Sequence, residues 1–483
     1  MSTKKYGEAF FFVLSLVFVF CTYFTPETTN DFWLQLKVGD IIRETFRIPR
    51  TVLFSYTEAK NFPFIAHEWL PSCIVSWLLN QTNYATLIVF KGLLYSLSFF
   101  LAFSLARFLS GSTLLALMIS ILCLFTMSFR SFLRPEAFSY IFFLLELNLI
   151  YRCLQKPNWR HIVFLVLTNI FWANSHGSFL VGVCSLFVFY ACQLITEKFK
   201  PSVGTRYLFW AGIFCALGSL VNPFGIHLIY HTLALSQSNY IKDIIFEWRP
   251  LFSDVVRGTR IFTLAMIFFV SAFPVLLWRI RKLNLASLAM VSLFTYLALS
   301  AQRHLAMLAI ASVGPLALAL KDLRLRPRTQ QMLSGGFLAL LISAFFSLFY
   351  SGNGVSVHPG WSPSARVSDE AIQFIKENKI VGNVLNTYTV GAQLVYHFYP
   401  EMQIVIDSRI DAYGEKYMSF YRGLWRNDYS ALNDFLVRYN VRYIIVDPQT
   451  YGIISGNSLL ASLTSARWKP IFTDQSLRIF SQE

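Results

Sequence analysis

Charged residues are scarce in this chain of 483 residues: Asp, Glu, Lys and Arg make up 14% of it, whereas hydrophobic residues make up 55%. Its mean hydropathy is +0.50, and 48 of its residues are Phe. A soluble globular protein does not have this balance, because its surface needs many charged side chains. The apolar residues form repeated runs of about 17–25 residues, the length of a helix that crosses a bilayer. The composition therefore predicts a polytopic α-helical membrane protein.

Cysteine is sparse and unpatterned. There are seven cysteines, none follows Cys215, and no CxxC occurs. An odd number without this spacing argues against a disulfide framework or a zinc site, and a thiol within an apolar run acts as a small apolar side chain. We therefore predict no cofactor, and a divalent metal has no support in the sequence.

Acidic residues are the scarcer charge, with 26 Asp and Glu against 41 Lys and Arg, a net charge of +15. A basic protein can bind nucleic acid, but here most positive charges before the tail lie in short loops between apolar runs. This distribution is typical of membrane topology. We therefore predict membrane lipids, and no nucleic acid, as partners.

About eleven apolar runs are candidate spans. They cover approximately residues 9–24, 85–108, 113–127, 137–151, 162–173, 179–195, 207–221, 261–278, 285–299, 305–320 and 332–350. A cleaved signal peptide is the alternative for the first run, but this run lacks a small-residue cleavage site. We therefore predict a first span with a cytoplasmic N-terminus.

The positions of basic residues test this count. If the N-terminus is cytoplasmic, the cytoplasmic loops contain Arg107; Arg152, Lys156 and Arg160; Lys198, Lys200 and Arg206; Arg279, Arg281 and Lys282; and Lys321, Arg324, Arg326 and Arg328. These loops are short, basic and nearly free of acids, as the positive-inside rule requires. An odd number of spans places the tail on the extracytoplasmic side.

Two polar regions interrupt this pattern. The first, an extracytoplasmic loop at residues 25–68 within a transmembrane domain at 1–350, contains an amphipathic helix at 32–45, predicted to lie on the membrane surface. It also contains an extended segment at 54–57. The apolar run 68–79, at its end, is too short to span and is interfacial or re-entrant.

The second polar region is the tail at 351–483, which has the composition of a soluble domain. Helical patterns there alternate with short apolar runs that predict strands, and a helix at 367–378 opens with an imperfect capping box, Ser368-x-x-Ala371. This alternation predicts a small α/β domain. No Gly-rich phosphate loop opens any of its helices, so a nucleotide site has no support.

Apart from the basic residues of the cytoplasmic loops, the polar clusters near the ends of the predicted spans all fall on the predicted extracytoplasmic side. They are Asp31; His67 and Glu68; Arg130, Arg134 and Glu136; Asn174 and His176; Asn222 and His227; Glu247 and Arg249; and Arg303 and His304. Charged groups at membrane depth are costly and tend to be paired and functional. An acid can take a proton from an acceptor hydroxyl, arginines can hold a phosphate, and tryptophans can stack on sugar rings.

Each candidate also has a purely structural interpretation. These are a helix cap for Asp31, a pin for an interfacial helix for His67-Glu68, a local ion pair between Arg134 and Glu136, a hydrogen bond at a helix boundary for His176, and headgroup anchors for Arg303-His304. No single motif separates the two interpretations. The convergence of the clusters on one side favours a site.

A series of short motifs runs along nearly the whole chain. They are Asn30-Asp31-Phe32-Trp33, Ile48-Pro49, Phe54-Ser55-Tyr56-Thr57, His67-Glu68-Trp69-Leu70, Arg134-Pro135-Glu136, Asn174-Ser175-His176-Gly177, Asn222-Pro223-Phe224-Gly225, Glu247-Trp248 and Val405-Ile406-Asp407-Ser408-Arg409. In this order they resemble bacterial membrane proteins of the C-type glycosyltransferase fold, in particular the dolichyl-phosphate-mannose protein mannosyltransferase-like group.

This resemblance implies a multi-pass protein of the bacterial inner membrane, with an extracytoplasmic site and a polyprenyl-phosphate sugar as donor. It implies that Asp31 is the base that activates the acceptor. Many members have two adjacent acids there, whereas Asn30 precedes Asp31 in this chain. A metal bound by paired carboxylates is therefore not implied.

The sequence thus favours an integral membrane glycosyltransferase, a hexosyl- or pentosyltransferase acting on an extracytoplasmic glycan, lipid or protein. The catalytic candidate is Asp31. The substrate-binding candidates are His67, Glu68, Trp69, Arg134, Glu136, His176, Glu247, Arg303 and His304. Two alternatives stay open: a flippase for a lipid-linked glycan, to which Lys91 and Glu146 inside spans would contribute, and a non-catalytic envelope scaffold.

Overall fold

The computed structural model describes residues 2–25, 29–323, 326, 328–329, 332–337, 339, 366–426, 429–456 and 459–482. The chain divides into two compact units. The membrane unit comprises Met1–Pro26 and Tyr84–Trp361, and the second unit comprises Glu27–Asn83 and Ser362–Glu483. The second unit is thus built from the first polar loop together with the tail.

Helices dominate the first 320 residues. In chain order they are α1 (Ser2–Tyr23), α2 (Asn30–Thr45), α3 (Trp69–Gln81), α4 (Tyr84–Ser110), α5 (Thr113–Met127), α6 (Glu136–Gln155), α7 (Trp159–Ala173), α8 (Phe179–Thr196), α9 (Val203–Gly218), α10 (Ile226–Gln237), α11 (Asn239–Ile244), α12 (Arg260–Trp278), α13 (Leu285–Ser300), α14 (Leu305–Ala311) and α15 (Val313–Leu320). All except α2 and α3 belong to the membrane unit.

The predicted spans coincide with these helices. Among the described residues, seven helical segments are long and apolar enough to cross a membrane, and α7, α9 and α13 are shorter apolar helices. The predicted span 305–320 is divided at Ser312 into α14 and α15. The predicted eleventh span, 332–350, lies mostly outside the described residues. The prediction of a polytopic α-helical fold is confirmed.

Helix α4 packs against α1, α5, α6 and α15 in the membrane unit. Small residues allow such helices to approach closely. At Gly182 of α8, a Cβ atom would lie 2.3 Å from Glu146 Oε2 and 2.7 Å from the Trp172 ring, so no larger residue fits without movement. Glu146, on α6, is itself 2% exposed.

The tail forms the small α/β domain that its sequence predicts. Its elements are α16 (Asp369–Glu377), β1 (Gly382–Asn386), α17 (Tyr388–Phe398), β2 (Met402–Ile404), α18 (Ile410–Gly423), α19 (Tyr429–Arg438), β3 (Tyr443–Val446), α20 (Pro448–Ser455), α21 (Leu459–Ser465), β4 (Trp468–Thr473) and β5 (Arg478–Gln482). The sheet order is β2-β1-β3-β5-β4, in which β2, β1 and β3 are parallel and β5 and β4 form an antiparallel hairpin. Helices α10, α11, α18 and α20 were not predicted from the sequence.

The first polar loop is folded onto this sheet. Phe54, Ser55 and Tyr56 extend its β2 edge, since Ile404 N–H donates to Phe54 O (3.2 Å) and Tyr56 N–H donates to Ile404 O (3.3 Å). Helix α2 packs against α3 and α17. Its apolar residues, predicted to lie on a membrane surface, are therefore buried inside the second unit.

Candidate functional site

A buried ion pair stands at the start of α6 in the membrane unit. Arg130 closes the short 3₁₀ turn that follows α5, and Glu136 is the first residue of α6. Arg130 Nε donates to Glu136 Oε1 at 2.6 Å, and its Nη2 donates to Oε2. Both side chains are buried. The two parallel hydrogen bonds fix the plane of the guanidinium group. The predicted local pair between Arg134 and Glu136 stays a prediction, since the hydrogen bonds of Glu136 described here go to Arg130.

Arg134 instead contacts Glu247, which lies far along the chain in the 3₁₀ turn Phe246–Trp248. Glu247 Oε1 is 2.8 Å from Arg130 Nη1 and 2.9 Å from Arg134 Nη1. Burial alone would raise the pKa of Glu247, but the charges of Arg130, Arg134 and Arg303 outweigh this effect and hold its pKa well below the ordinary range. Glu247 is therefore an anion held by converging arginines.

Arg303 and His304 reach the same region from a second 3₁₀ turn, Gln302–His304. This turn packs on the turn of Glu247, since Gln302 N–H donates to Arg249 O at 3.0 Å. The Arg303 guanidinium lies 4.5 Å from the centre of the Trp248 ring, and the His304 ring meets Trp248 edge-on at 6.1 Å. Cation–π contact holds Arg303 in place without neutralising its charge.

We call Arg130, Arg134, Glu136, Glu247 and Arg303 the arginine cluster. It contains three guanidinium groups and two carboxylates, so it carries one excess positive charge. Guanidinium groups bind phosphate through paired hydrogen bonds and remain charged at any physiological pH. The cluster is therefore chemically suited to bind an anion. Arg130 was recognised in the sequence among the polar residues but not among the substrate-binding candidates; its place four residues before Arg134 was the available signal.

His176 belongs to a separate group of hydrogen bonds in the same unit. Its Nδ1 lies 3.1 Å from Ser139 Oγ and 2.8 Å from Ser178 Oγ. Trp172 Nε1 donates to Ser139 Oγ at 2.9 Å. These contacts join α6 to the turn between α7 and α8, as the predicted hydrogen bond at a helix boundary would. Participation of His176 in substrate binding stays a prediction.

The other candidates lie in the second unit. Asp31 is half-buried in the first turn of α2, where a carboxylate interacts favourably with the helix dipole. The residue at the N-cap position is Thr29, because the helix begins at Asn30 rather than at Phe32. The interpretation of Asp31 as the helix cap is therefore wrong.

His67 and Glu68 form an ion pair immediately before Trp69, the first residue of α3. His67 Nε2 lies 3.5 Å from Glu68 Oε1, and its Nδ1 lies 3.2 Å from Ile65 O. Burial lowers the pKa of His67, but the hydrogen bond and charge of Glu68 and the charge of Asp411 outweigh this effect and raise its pKa to about 9. The imidazole is therefore protonated at neutral pH.

Several of the recognised motifs contact one another in the second unit. Arg409 Nε donates to Asp407 Oδ1 at 2.9 Å, and both side chains are buried. The Arg409 guanidinium lies between two aromatic rings of the first polar loop, 4.9 Å from the centre of Phe54 and 4.5 Å from that of Phe64. These motif residues therefore hold the loop on the tail.

No group of three or more His, Cys, Asp or Glu side chains suited to a metal ion occurs within the part of the chain that the structure describes. In particular, the acids of the arginine cluster are bound to guanidinium groups.

No family model matches the chain, and no curated protein matches it by sequence. Its fold is similar to that of solved oligosaccharyltransferases of Archaeoglobus fulgidus. One is the archaeal oligosaccharyltransferase AglB in complex with an inhibitory peptide and a dolichol-phosphate (TM-score 0.65, 11% identity, 99% of this chain and 74% of that chain). Another is tethered to an acceptor peptide containing the NVT sequon (TM-score 0.63, 13% identity, 97% of this chain and 72% of that chain). The chain thus has a fold similar to that of solved membrane oligosaccharyltransferases. The dolichyl-phosphate-mannose protein mannosyltransferase-like group and the bacterial origin stay predictions.

Proposed function

We propose that this protein is an integral membrane glycosyltransferase that moves a sugar from a polyprenyl-phosphate carrier to an extracytoplasmic acceptor. The observation that carries the proposal is the convergence of Arg130 and Arg134 on one oxygen of Glu247, with Arg303 close enough to lower the pKa of the same carboxyl. The cluster is attached to apolar helices of the membrane unit, where the phosphate of a lipid carrier would be found. The similar oligosaccharyltransferase with a bound dolichol-phosphate supports this choice of donor.

The chemistry explains why arginines matter. In the transfer step, the bond between the sugar C1 and the phosphate oxygen breaks, and the electron pair leaves with the phosphate. Positive groups aimed at the developing charge lower the barrier without donating a proton. We assign this role to Arg134 and Arg303. Arg134 is held in place by Glu247, which also binds Arg130. Arg303 is held in place by its cation–π contact with Trp248.

The acceptor requires a base. Its oxygen forms the new bond to C1 from the opposite face, with inversion, and its hydroxyl proton passes to a carboxylate. We propose Asp31 for this role, on the resemblance of its motif and on its half-buried place in the first turn of α2. The remaining candidates would shape the binding regions of the units in which they lie. They are His67, Glu68, Trp69, His176 and His304.

The test is mass spectrometry of envelope glycans and polyprenyl-phosphate lipids from cells that lack the protein and are complemented with variants. Wild type should restore one sugar-sized mass, whereas Asp31→Asn and Arg303→Ala should restore it at a rate about 100-fold lower. The control is Asp254→Asn, a substitution at an exposed acid outside the arginine cluster. An unchanged glycan profile in the deletion strain refutes the transferase proposal. Full restoration by Asp31→Asn removes only the assignment of the base.

A second candidate function, movement of a lipid-linked glycan across the membrane, is favoured by Glu146. Its carboxyl is buried in the membrane unit, and Oε1 has no hydrogen-bond partner among the described residues. An ionisable side chain inside a span is typical of transport pathways. If transport is the function, Glu146→Gln should slow the flux of a lipid-linked glycan across vesicle membranes.

A further inference from the structure

The connections of the tail sheet create a crevice at one place. From β1 the chain passes through α17 to β2 on one side, and from β2 it returns through α18 and α19 to β3 on the other side. The connections that follow β1 and β3 therefore diverge beyond the carboxyl ends of these neighbouring parallel strands. In open α/β sheets such a switch point is where ligands bind.

A groove of about 830 Å³ lies at this position. Residues that follow β1 (Thr389, Val390) and β3 (Asp447, Pro448, Gln449) line it, together with the β4–β5 turn and the start of α16. Its volume falls within the usual range for small-molecule sites. We call it the switch-point groove. The strand connections and the shape of the surface thus indicate the same position independently.

The walls of the groove are fixed by internal hydrogen bonds. Asp447 accepts from Thr389 Oγ1 at 2.6 Å and from Thr450 N at 2.9 Å, and thereby joins the two diverging connections. Asp474 accepts from Ser368 Oγ, from Ser476 N at 2.7 Å and from Leu477 N at 2.8 Å. Burial raises the pKa of both carboxyls, but these hydrogen bonds outweigh it and lower both pKa values. The walls are therefore preformed and negatively charged.

The lining indicates the class of ligand. It contains three carboxylates, including Glu370, and one guanidinium group, Arg366, and no glycine, so it disfavours phosphates and other anions. The exposed rim carries Gln449 and Gln475, whose amides both donate and accept hydrogen bonds. Pro448 offers a small exposed apolar surface. Sugar hydroxyls together with sugar C–H faces match this combination.

We infer that the switch-point groove binds a neutral oligosaccharide. The choice of a glycan rests on the proposed function, whereas the location and charge of the groove do not. A protein that transfers sugars would use such a groove to hold an acceptor glycan, or the distal residues of a donor glycan, away from the reacting bond.

The test applies purified full-length protein in detergent to a printed array of neutral, sialylated and sulfated oligosaccharides. Wild type should bind neutral structures in preference to anionic ones. The double variant Gln449→Ala/Gln475→Ala should lower this signal about tenfold, because two neutral hydrogen bonds are lost. The matched control is Gln373→Ala, a substitution at an exposed glutamine on α16 that contacts Glu377 and does not line the groove.

Three results would overturn the inference: no binding of neutral glycans, equal binding of sulfated glycans, or full binding by the double variant. Arg303→Ala separates this inference from the proposed function, since it should slow transfer about 100-fold and keep array binding. If Arg303→Ala abolished array binding and the double variant kept it, glycan binding would belong to the membrane unit. This result would also overturn the inference.

Discussion

Glu247 is the residue that determines how the arginine cluster meets a substrate. Its carboxylate already receives hydrogen bonds from Arg130 and Arg134. A phosphate that binds the same guanidinium groups would have to displace it. Because a phosphate oxygen competes with a carboxylate for the same donors, the acid lowers the affinity of the cluster for anions until it moves.

Replacing Glu247 by Gln should therefore strengthen the binding of a lipid phosphate. The amide keeps the size of the side chain but removes the competing charge, so the excess charge of the cluster rises from one to two. We expect the Kd of farnesyl phosphate, measured by calorimetry in detergent, to fall about tenfold.

The matched control for this experiment is Asp254→Asn. Asp254 is a fully exposed acid in the same connection between α11 and α12, and it pairs with Arg257 outside the cluster. This variant should bind as the wild type does. Weaker binding by Glu247→Gln would show that the carboxylate supports the bound phosphate instead of competing with it.

At the scale of elements, the first polar loop is held on the tail by a strand pairing and by one stacked guanidinium group. Phe54 is completely buried, extends the β2 edge and lies against Arg409. Lys37 Nζ donates to Tyr399 O at 2.9 Å, and the Trp33 ring packs 5.1 Å from that of Tyr396. Residues of the motifs that carry the resemblance thus help to build the second unit.

Arg409→Lys tests this attachment. An ammonium group cannot make both hydrogen bonds to Asp407 or fill the space between Phe54 and Phe64, so the loop should open more easily by about 2 kcal/mol. Amide hydrogen exchange at residues 54–56 and 404 should become about 30-fold faster. Arg438→Lys is the control, because Arg438 also lies over a ring, that of Tyr439, but on the exposed surface. Unchanged exchange in Arg409→Lys would contradict the assigned role.

The elements also show what the sequence could predict. The apolar runs predicted the bounds of the membrane helices closely, and those of α5 correctly, because length and hydropathy determine a span locally. Helix α16 (Asp369–Glu377) was also predicted closely, at 367–378. In contrast, α18 was missed, since it bends at Gly414 with φ +72°, which interrupts the helical periodicity.

Contacts between distant residues were beyond such local patterns. The pairing of Glu247 with Arg134 spans 113 residues, and no periodicity relates them. The sequence predicted that both are polar residues on one side of the membrane, and it paired Arg134 with its neighbour Glu136, but no local pattern indicated Glu247 as a partner. The stacking of Arg409 on Phe54 and Phe64 could not be predicted either, because these residues are also far apart in the sequence.

At the scale of the whole molecule, the second unit is discontinuous: Glu27–Asn83 and Ser362–Glu483 are separated by most of the membrane unit. The tail segment contains the sheet. The first polar loop covers the β2 edge of this sheet and the side chain of Arg409. Without the loop, an uncovered strand edge and a buried ion pair would both meet water, and exposed strand edges promote aggregation.

We therefore expect the tail alone, residues 362–483, to be poorly folded, and a fusion of residues 27–83 to 362–483 through a flexible linker to fold cooperatively. Thermal unfolding followed by circular dichroism should show a single transition for the fusion and a broad or absent one for the tail. A fusion carrying Phe54→Ala is the matched variant; deletion of a large buried side chain should lower its stability by about 3–5 kcal/mol. A tail that unfolds cooperatively at the same temperature as the fusion would show that the loop adds no stability. If the expectation holds, the first polar loop and the tail depend on each other for folding, and a substitution in the loop such as Asp31→Asn must be checked for the folding of the tail before its effect on transfer is interpreted.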